Sequence, residues 1–414
     1  MCKQSENFKL FIINIIIMSI NTKSFNIDYN DIKEEYPLTI SIELYRDELY
    51  KELLIYAEKI RKELLQKEQS LHEFIKIDER NEFVSEPLLR DFISMFIINH
   101  KFESNIDPLF DSKTPFEKST VIDYFNKDCI TTYTELTKKA IIEILPHLTN
   151  LYIENFNKIN IKLKEKNDKY DVDYKIIDEK FFEIDGKLKI PIHIFKHLVK
   201  LYNTKNLYNY TSTDILDEKV VEYIYIVFLR YRTFSNGNNQ ASILPSFKKI
   251  LKEKLNIKVE LFGSPLNTST AIFGSFFYDI DKYFGSIGNY FSTDIKKGYY
   301  EINPVFDKCL IDNIIIKSTN ELIKAQKNKL PLLLCFILPL SYSSSVKLPE
   351  RFIIKNIVVK KEDFPYIRYN RDFTKTIVST IVNTRIIICH TSFITSFVKY
   401  NVSQFQEILK NWKK

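Results

Sequence analysis

Glycine is scarce in this chain. Only 7 of its 414 residues are Gly, and six of the seven fall within residues 237–298. Glycine lets a backbone turn tightly or approach a ligand without a steric penalty. A chain that uses it so sparingly marks that window as the place for loops that carry function. Cysteine is scattered: Cys2, Cys129, Cys309, Cys335 and Cys389 have no short spacing between them. That excludes a zinc-binding or redox pair and points to reduced thiols in an intracellular compartment. His193 and His197 stand four apart, but no glutamate intervenes in the metalloprotease manner, so no metal site is expected. Long apolar runs are also missing near the start. Residues 8–20 form one of about thirteen residues, too short to span a bilayer and not followed by a small-residue cleavage site. Translation from Met18 would remove most of it. No membrane segment is expected.

What is present is ordinary in bulk and uneven in detail. The length allows two domains, and 45% hydrophobic with 27% charged residues suits a soluble globular protein. Abundant Ile, Lys, Asn, Phe and Tyr carry the imprint of an AT-rich genome, so composition alone says little about function. The net charge of +7 leans mildly toward polyanions.

Residues 1–36 read as an N-terminal extension, and residues 37–204 as an all-α domain. Leu49, Leu53, Leu54, Ala57 and Ile60 recur at helical spacing, and residues 134–166 repeat the pattern with an interruption expected at Pro146. Gly186 predicts a hairpin turn and Pro191 the start of a helix. The run KKILKEK (residues 248–254) reads as a solvated helix face. From residue 205 to 414, helices alternate with the apolar runs KVELF, YYEI, LPLLLCFIL, IKNIVV and TRIIIC. That alternation predicts an α/β domain with a largely buried sheet. Functional loops in such folds sit at strand ends.

The chemistry centres on YYEINPVFDK (residues 299–308). An exocyclic adenine amine is a poor nucleophile, because its lone pair is delocalised into the ring. An enzyme that methylates it needs acceptors for both amine hydrogens. The side-chain oxygen of Asn303 and the carbonyl of Pro304 would supply them, and Phe306 would stack on the base. Val305 stands where such tetrads carry a second proline, which removes rigidity but neither acceptor. A plain strand end is the competing reading of the same four residues.

Three elements follow one another: Ser264-Pro265-Leu266-Asn267, Tyr283-Phe284-Gly285-Ser286 and Asn303-Pro304-Val305-Phe306. Together with RYRTF (residues 230–234) and SILPSF (residues 242–247), they resemble the phosphorylated-CTD-interacting-factor family of adenosine N6-methyltransferases. Those enzymes carry Ala-Ser-Pro-Leu-Asn, Tyr-Phe-Gly-Ser and Asn-Pro-Pro-Phe in that order. The resemblance covers residues 200–414 well and the helical half in outline. It implies a Rossmann-like methyltransferase domain behind a helical domain, with S-adenosyl-L-methionine as cofactor. The implied substrate is the 2′-O-methyladenosine next to an mRNA cap, in capped mRNA or single-stranded RNA. Asn303, Pro304 and Phe306 would then be catalytic, while Ser264, Pro265, Leu266 and Asn267, with Asn303 and Phe306, would lie against the donor. Phe306 and Lys308 would meet the substrate, although the family has a glutamate where Lys308 stands. The tryptophan of the family's later aromatic stretch is missing near residues 337–345. Residues 362–364, with Arg351, Phe352 and Tyr366, fall where the family contacts the donor, and no WW domain is visible. A catalytically inactive RNA-binding relative and a DNA adenine methyltransferase are the alternatives. Nucleus and cytoplasm are not distinguished.

Overall fold

The structure is a computed structural model. It describes residues 27–29, 38–71, 109–110, 116–119, 122, 135–165, 170–206, 218–234, 240–341, 346–369, 375–378 and 382–412. The apolar run at residues 8–20, Gly237 and residues 342–345 of the expected aromatic stretch lie outside them. Strand β1 (Ile27–Tyr29), within the N-terminal extension, pairs antiparallel with Thr293–Ile295. No described helix is long and apolar enough to cross a membrane.

Helix α1 (Ile40–Leu71) buries Leu49, Leu53, Leu54 and Ala57, the stripe its sequence spacing predicts. It packs on α2 (Glu135–Lys164), whose buried face carries Ile144, Leu145, Leu148, Tyr152, Phe156 and Ile159. The Asn155 side chain donates to the Leu49 carbonyl at 2.9 Å and ties the two helices together. The interruption expected at Pro146 does not occur, since α2 runs through it. Proline removes one backbone hydrogen bond and crowds the preceding turn, but burial of the apolar face on both sides of it outweighs that loss.

Nor is this part all helical. Strands β2 (Tyr174–Ile177), β3 (Phe181–Ile184) and β4 (Leu188–Pro191) form an antiparallel meander. Asp185 and Gly186 turn the second hairpin with φ of 53° and 62°, the pair of positive values that a two-residue type I′ turn demands. Pro191 leads into α3 (Ile192–Asn206). Helix α4 (Glu218–Phe234) packs on α1, so the helical layer extends to Phe234.

The second part is built on a mixed six-stranded sheet. After β5 (Ser242–Ile243) and α5 (Pro245–Leu255) come β6 (Val259–Glu260), β7 (Ile272–Phe273), β8 (Thr293–Ile295) and β9 (Gly298–Ile302). Then follow α6 (Lys308–Lys327), β10 (Leu332–Pro339), β11 (Ile353–Val359), β12 (Tyr366–Tyr369), β13 (Lys375–Val378) and β14 (Thr384–His390). Helices α7 (Ser396–Ser403) and α8 (Phe405–Trp412) close the described chain. All five apolar runs picked out in the sequence are strands of this sheet, whose order is β11-β14-β10-β9-β6-β7. Strands β7, β6, β9 and β10 are parallel, and β14 runs antiparallel to both β10 and β11.

Strand β10 is buried along its whole length, as a central strand covered on both faces must be. Leu332, Leu334, Phe336 and Leu338 face the core under α6, and Leu333, Cys335 and Ile337 face the core under α5, α7 and α8. From β6 the chain moves outward to β7, then crosses back to β9 on the other flank of β6. That reversal makes the carboxyl ends of β6 and β9 a topological switch point, where open α/β sheets bind ligands.

Candidate functional site

Both singled-out segments sit at this switch point. Asn303 and Pro304 directly follow β9. Ser264 follows β6 by four residues, and the Leu261 amide donates to the Glu301 carbonyl at 2.9 Å to hold the two strand ends together. Asn303 is 6% exposed, and its side chain makes no hydrogen bond among the described residues. A buried amide normally has a partner. Phe306 is 38% exposed and meets Tyr366 edge to face, with ring centroids 5.9 Å apart. Tyr366 in turn packs edge to face on Phe364, and Phe364 on Phe247, so the exposed ring stands on a buried aromatic stack. Asp307 caps α6 by accepting from the Leu310 amide at 2.7 Å, which anchors the turn that presents Phe306. Lys308 is the first residue of α6 and is half-buried.

The residues 264–267 are committed to one another. The Ser264 amide donates to Asn267 Oδ1 at 2.8 Å, Ser264 Oγ donates to Gln240 Oε1 at 2.6 Å, and Asn267 Nδ2 donates to the Gln240 carbonyl at 3.3 Å. Leu266 is part of the core beneath the helical layer, and Pro265 is buried. The side chains of Ser264 and Asn267 therefore shape the loop beside the crevice. His197 on α3 leans on the backbone of Pro265 and Thr268, its Nε2 is buried without a partner, and burial lowers its pKa. The next motif is likewise a fold device. At Gly285, φ is +102° and a Cβ would lie 2.2 Å from the Ala271 carbonyl oxygen, so only glycine fits there. Ser286 and Ser275 share a 2.6 Å hydrogen bond, and Tyr283 stacks on Tyr223 of α4 at 4.2 Å.

Beneath Asn303 lies a charged cluster that sequence reasoning missed. Lys248 of α5, in the run expected to be solvated, is 6% exposed and donates to Glu260 Oε2 at 2.7 Å. The amphipathic turn of α5 brings this one lysine of the run under the sheet end. Thr268 Oγ1 donates to the same oxygen at 3.0 Å. Glu260 lies opposite Glu301 in the β6–β9 register. Glu260 Oε1 and Glu301 Oε1 are both buried without a hydrogen-bond partner among the described residues. Burial pushes the Glu301 carboxyl up to about 8; the Lys248 ammonium opposes that shift and the Glu260 carboxylate adds to it. The available signal was an acid inside each of two apolar strand runs, VELF and YYEI. A lone carboxyl in a buried strand costs too much to be idle.

Asp279 and Asp281 are both engaged with the helical layer. Asp279 pairs with Arg230 at 2.9 Å, and Arg230 also reaches Glu43 of α1. Asp281 is fully buried, accepts from Tyr231 Oη at 2.6 Å, and is pushed by burial to about 7. These carboxyls join the helical layer to the sheet. Of the segment at residues 362–364, Glu362 is exposed and Phe364 is 1% exposed in the aromatic stack. Arg351 is exposed with its guanidinium over Phe352, 4.9 Å from the ring centroid.

The family model described as "Phosphorylated CTD interacting factor 1 WW domain" matches residues 197–368. That span runs from α3 to β12 and contains both strand ends of the switch point, the buried Lys248–Glu260–Glu301 cluster and the aromatic stack. Over these residues the chain is similar to the phosphorylated-CTD-interacting-factor family.

Proposed function

We propose that this chain is an S-adenosyl-L-methionine-dependent adenosine N6-methyltransferase acting on RNA, with the 2′-O-methyladenosine beside an mRNA cap as its target. The observation that carries the reading is the pairing of a buried Asn303 amide, without a hydrogen bond among the described residues, with an exposed Phe306 at the switch point. The similarity of residues 197–368 to that family supports the reaction class. Four parallel strands reversing at β6 and β9 support a Rossmann-like reading of the sheet.

The residues present suit the donor. Two buried carboxyl oxygens without a hydrogen-bond partner among the described residues lie at the crevice end of β6 and β9, and a cationic ligand answers that deficit. Bound there, the donor supplies an electrophilic methyl group on sulfonium. Asn303 accepts one hydrogen of the target amine through its side-chain oxygen, and the Pro304 carbonyl accepts the other. Both acceptors favour a tetrahedral nitrogen and are set before the substrate arrives, which is how preorganised dipoles lower a barrier. Phe306 holds the base by stacking, a contact suited to a nucleotide splayed from a single strand. The surplus amine proton passes to water after transfer, so no His–carboxylate base is required.

Val305 and Lys308 favour a second reading, a relative that binds RNA without turnover. A tritium-transfer assay separates them. Capped RNA beginning with 2′-O-methyladenosine should take up label, whereas uncapped RNA and DNA oligonucleotides should take up far less. Label entering DNA best would overturn the RNA assignment, and no label in any substrate would establish the non-catalytic reading.

A further inference from the structure

Glu301 stands two residues before Asn303. Along an extended chain two residues advance about 6.7 Å and return to the same face. The face is identified by its neighbours. Lys248 comes from α5, Glu260 from β6, Cys335 from β10 and Tyr366 from β12, and each of these feels the Glu301 charge or is felt by it. Tyr366 also touches Phe306, so the carboxyl and the exposed ring belong to one crevice. Tyr369 at the end of β12 stands near Lys248 and Glu260.

The charges in this crevice do not balance by ion pairing alone. One lysine faces two carboxyls, and Lys248 is committed to Glu260 Oε2. Glu260 Oε1 and Glu301 Oε1 remain buried with no hydrogen-bond partner among the described residues. A proton on Glu301 makes the empty cluster neutral. A ligand cation in place of that proton would leave it neutral again and would give both orphaned oxygens a partner.

We propose that Glu260 and Glu301 together form the seat for a cationic group of the methyl donor, and that Glu301 gives up its proton to bulk water when that group binds. The inference rests on the methyltransferase reading and adds to it a proton-coupled binding step. Donor affinity is then set by pH through a residue outside the Asn-Pro-x-Phe tetrad. Two groups of the donor are positively charged, the sulfonium and the amino-acid ammonium. S-adenosylhomocysteine keeps the second and lacks the first.

Titration calorimetry on the full chain tests this, with S-adenosylmethionine at about pH 6 and about pH 7.5, each in two buffers of different ionisation enthalpy. Wild-type protein should release close to one proton per donor bound at the lower pH, and its affinity should rise roughly tenfold per pH unit. Glu301→Gln, which keeps the shape of the neutral acid, should melt like wild type, release no proton and bind with little dependence on pH. Proton release on binding S-adenosylhomocysteine would assign the seat to the ammonium, and its absence there would assign it to the sulfonium. Donor binding by wild type without proton release, or a Glu301→Gln variant that keeps the release and the slope, would overturn the proposal and leave the methyltransferase reading standing. Failure of wild type to bind the donor at either pH would overturn both.

Discussion

Asn303 and Asn267 show how unlike two asparagines of one site can be. Asn267 is bonded on both sides, to the Ser264 amide and the Gln240 carbonyl, and shapes a loop. Asn303 is equally buried and has no bond to any described residue. Asn303→Ala should therefore leave the melting temperature unchanged and lower methyl transfer by roughly 10²- to 10³-fold, the usual cost of one preorganised donor or acceptor. Steady-state kinetics beside a thermal melt would check it. Val305 is half-buried against the core under α6, and its amide makes no hydrogen bond among the described residues. Val305→Pro thus removes no backbone bond. It should preserve or raise turnover by stiffening the turn that presents Phe306, as the same assay would show. The tetrad was legible in the sequence because it is local. The partners of Ser264 and the ion pair of Lys248 were not, because Gln240 and Glu260 reach them only through the fold.

At the scale of elements, period and punctuation were informative. The five apolar runs became sheet strands because burial on both faces demands continuous hydrophobicity. The Asp185–Gly186 turn followed from the residue pair that tolerates positive φ. Short elements escaped notice: β5 and β7 have two residues each, too few to show a period. Pro146 was misread as a break because local propensity was weighed without the tertiary contact between α1 and α2. Its solvent-facing position makes it testable. Pro146→Ala should stabilise the protein by about 1–3 kcal/mol in urea unfolding, since it restores a helical hydrogen bond and removes a steric clash.

Across the whole molecule, the helical layer and the sheet are joined by buried charge. Arg230 of α4 bridges Glu43 of α1 and Asp279, and Asp281 beside them is fully buried with its carboxyl pushed to about 7. Between the ordinary carboxyl range and about 7, folded Asp281 keeps its proton while the unfolded chain has lost it. The unfolded state binds fewer protons there, so this residue lowers stability as pH rises through that window. Asp281→Asn cannot titrate and keeps an acceptor for Tyr231. Its melting temperature should gain on wild type as pH is raised from about 4 to about 7 and hold that gain above. Melting curves across that range would show a constant difference if the account of Asp281 is wrong. Net charge was read as a mild lean toward polyanions, but the partners of Arg230 and Asp281 were not legible, because Glu43, Asp279 and Tyr231 reach them only through the fold.

The central claim is that this site places a methyl group on N6 of adenosine in RNA. Its most direct test is mass spectrometry of nucleosides digested from capped RNA after incubation with the protein and a deuterated methyl donor. The account predicts deuterated N6-methyl label on the 2′-O-methyladenosine beside the cap, nearly abolished by Asn303→Ala. Label on another atom or base, or undiminished label with the variant, would contradict it.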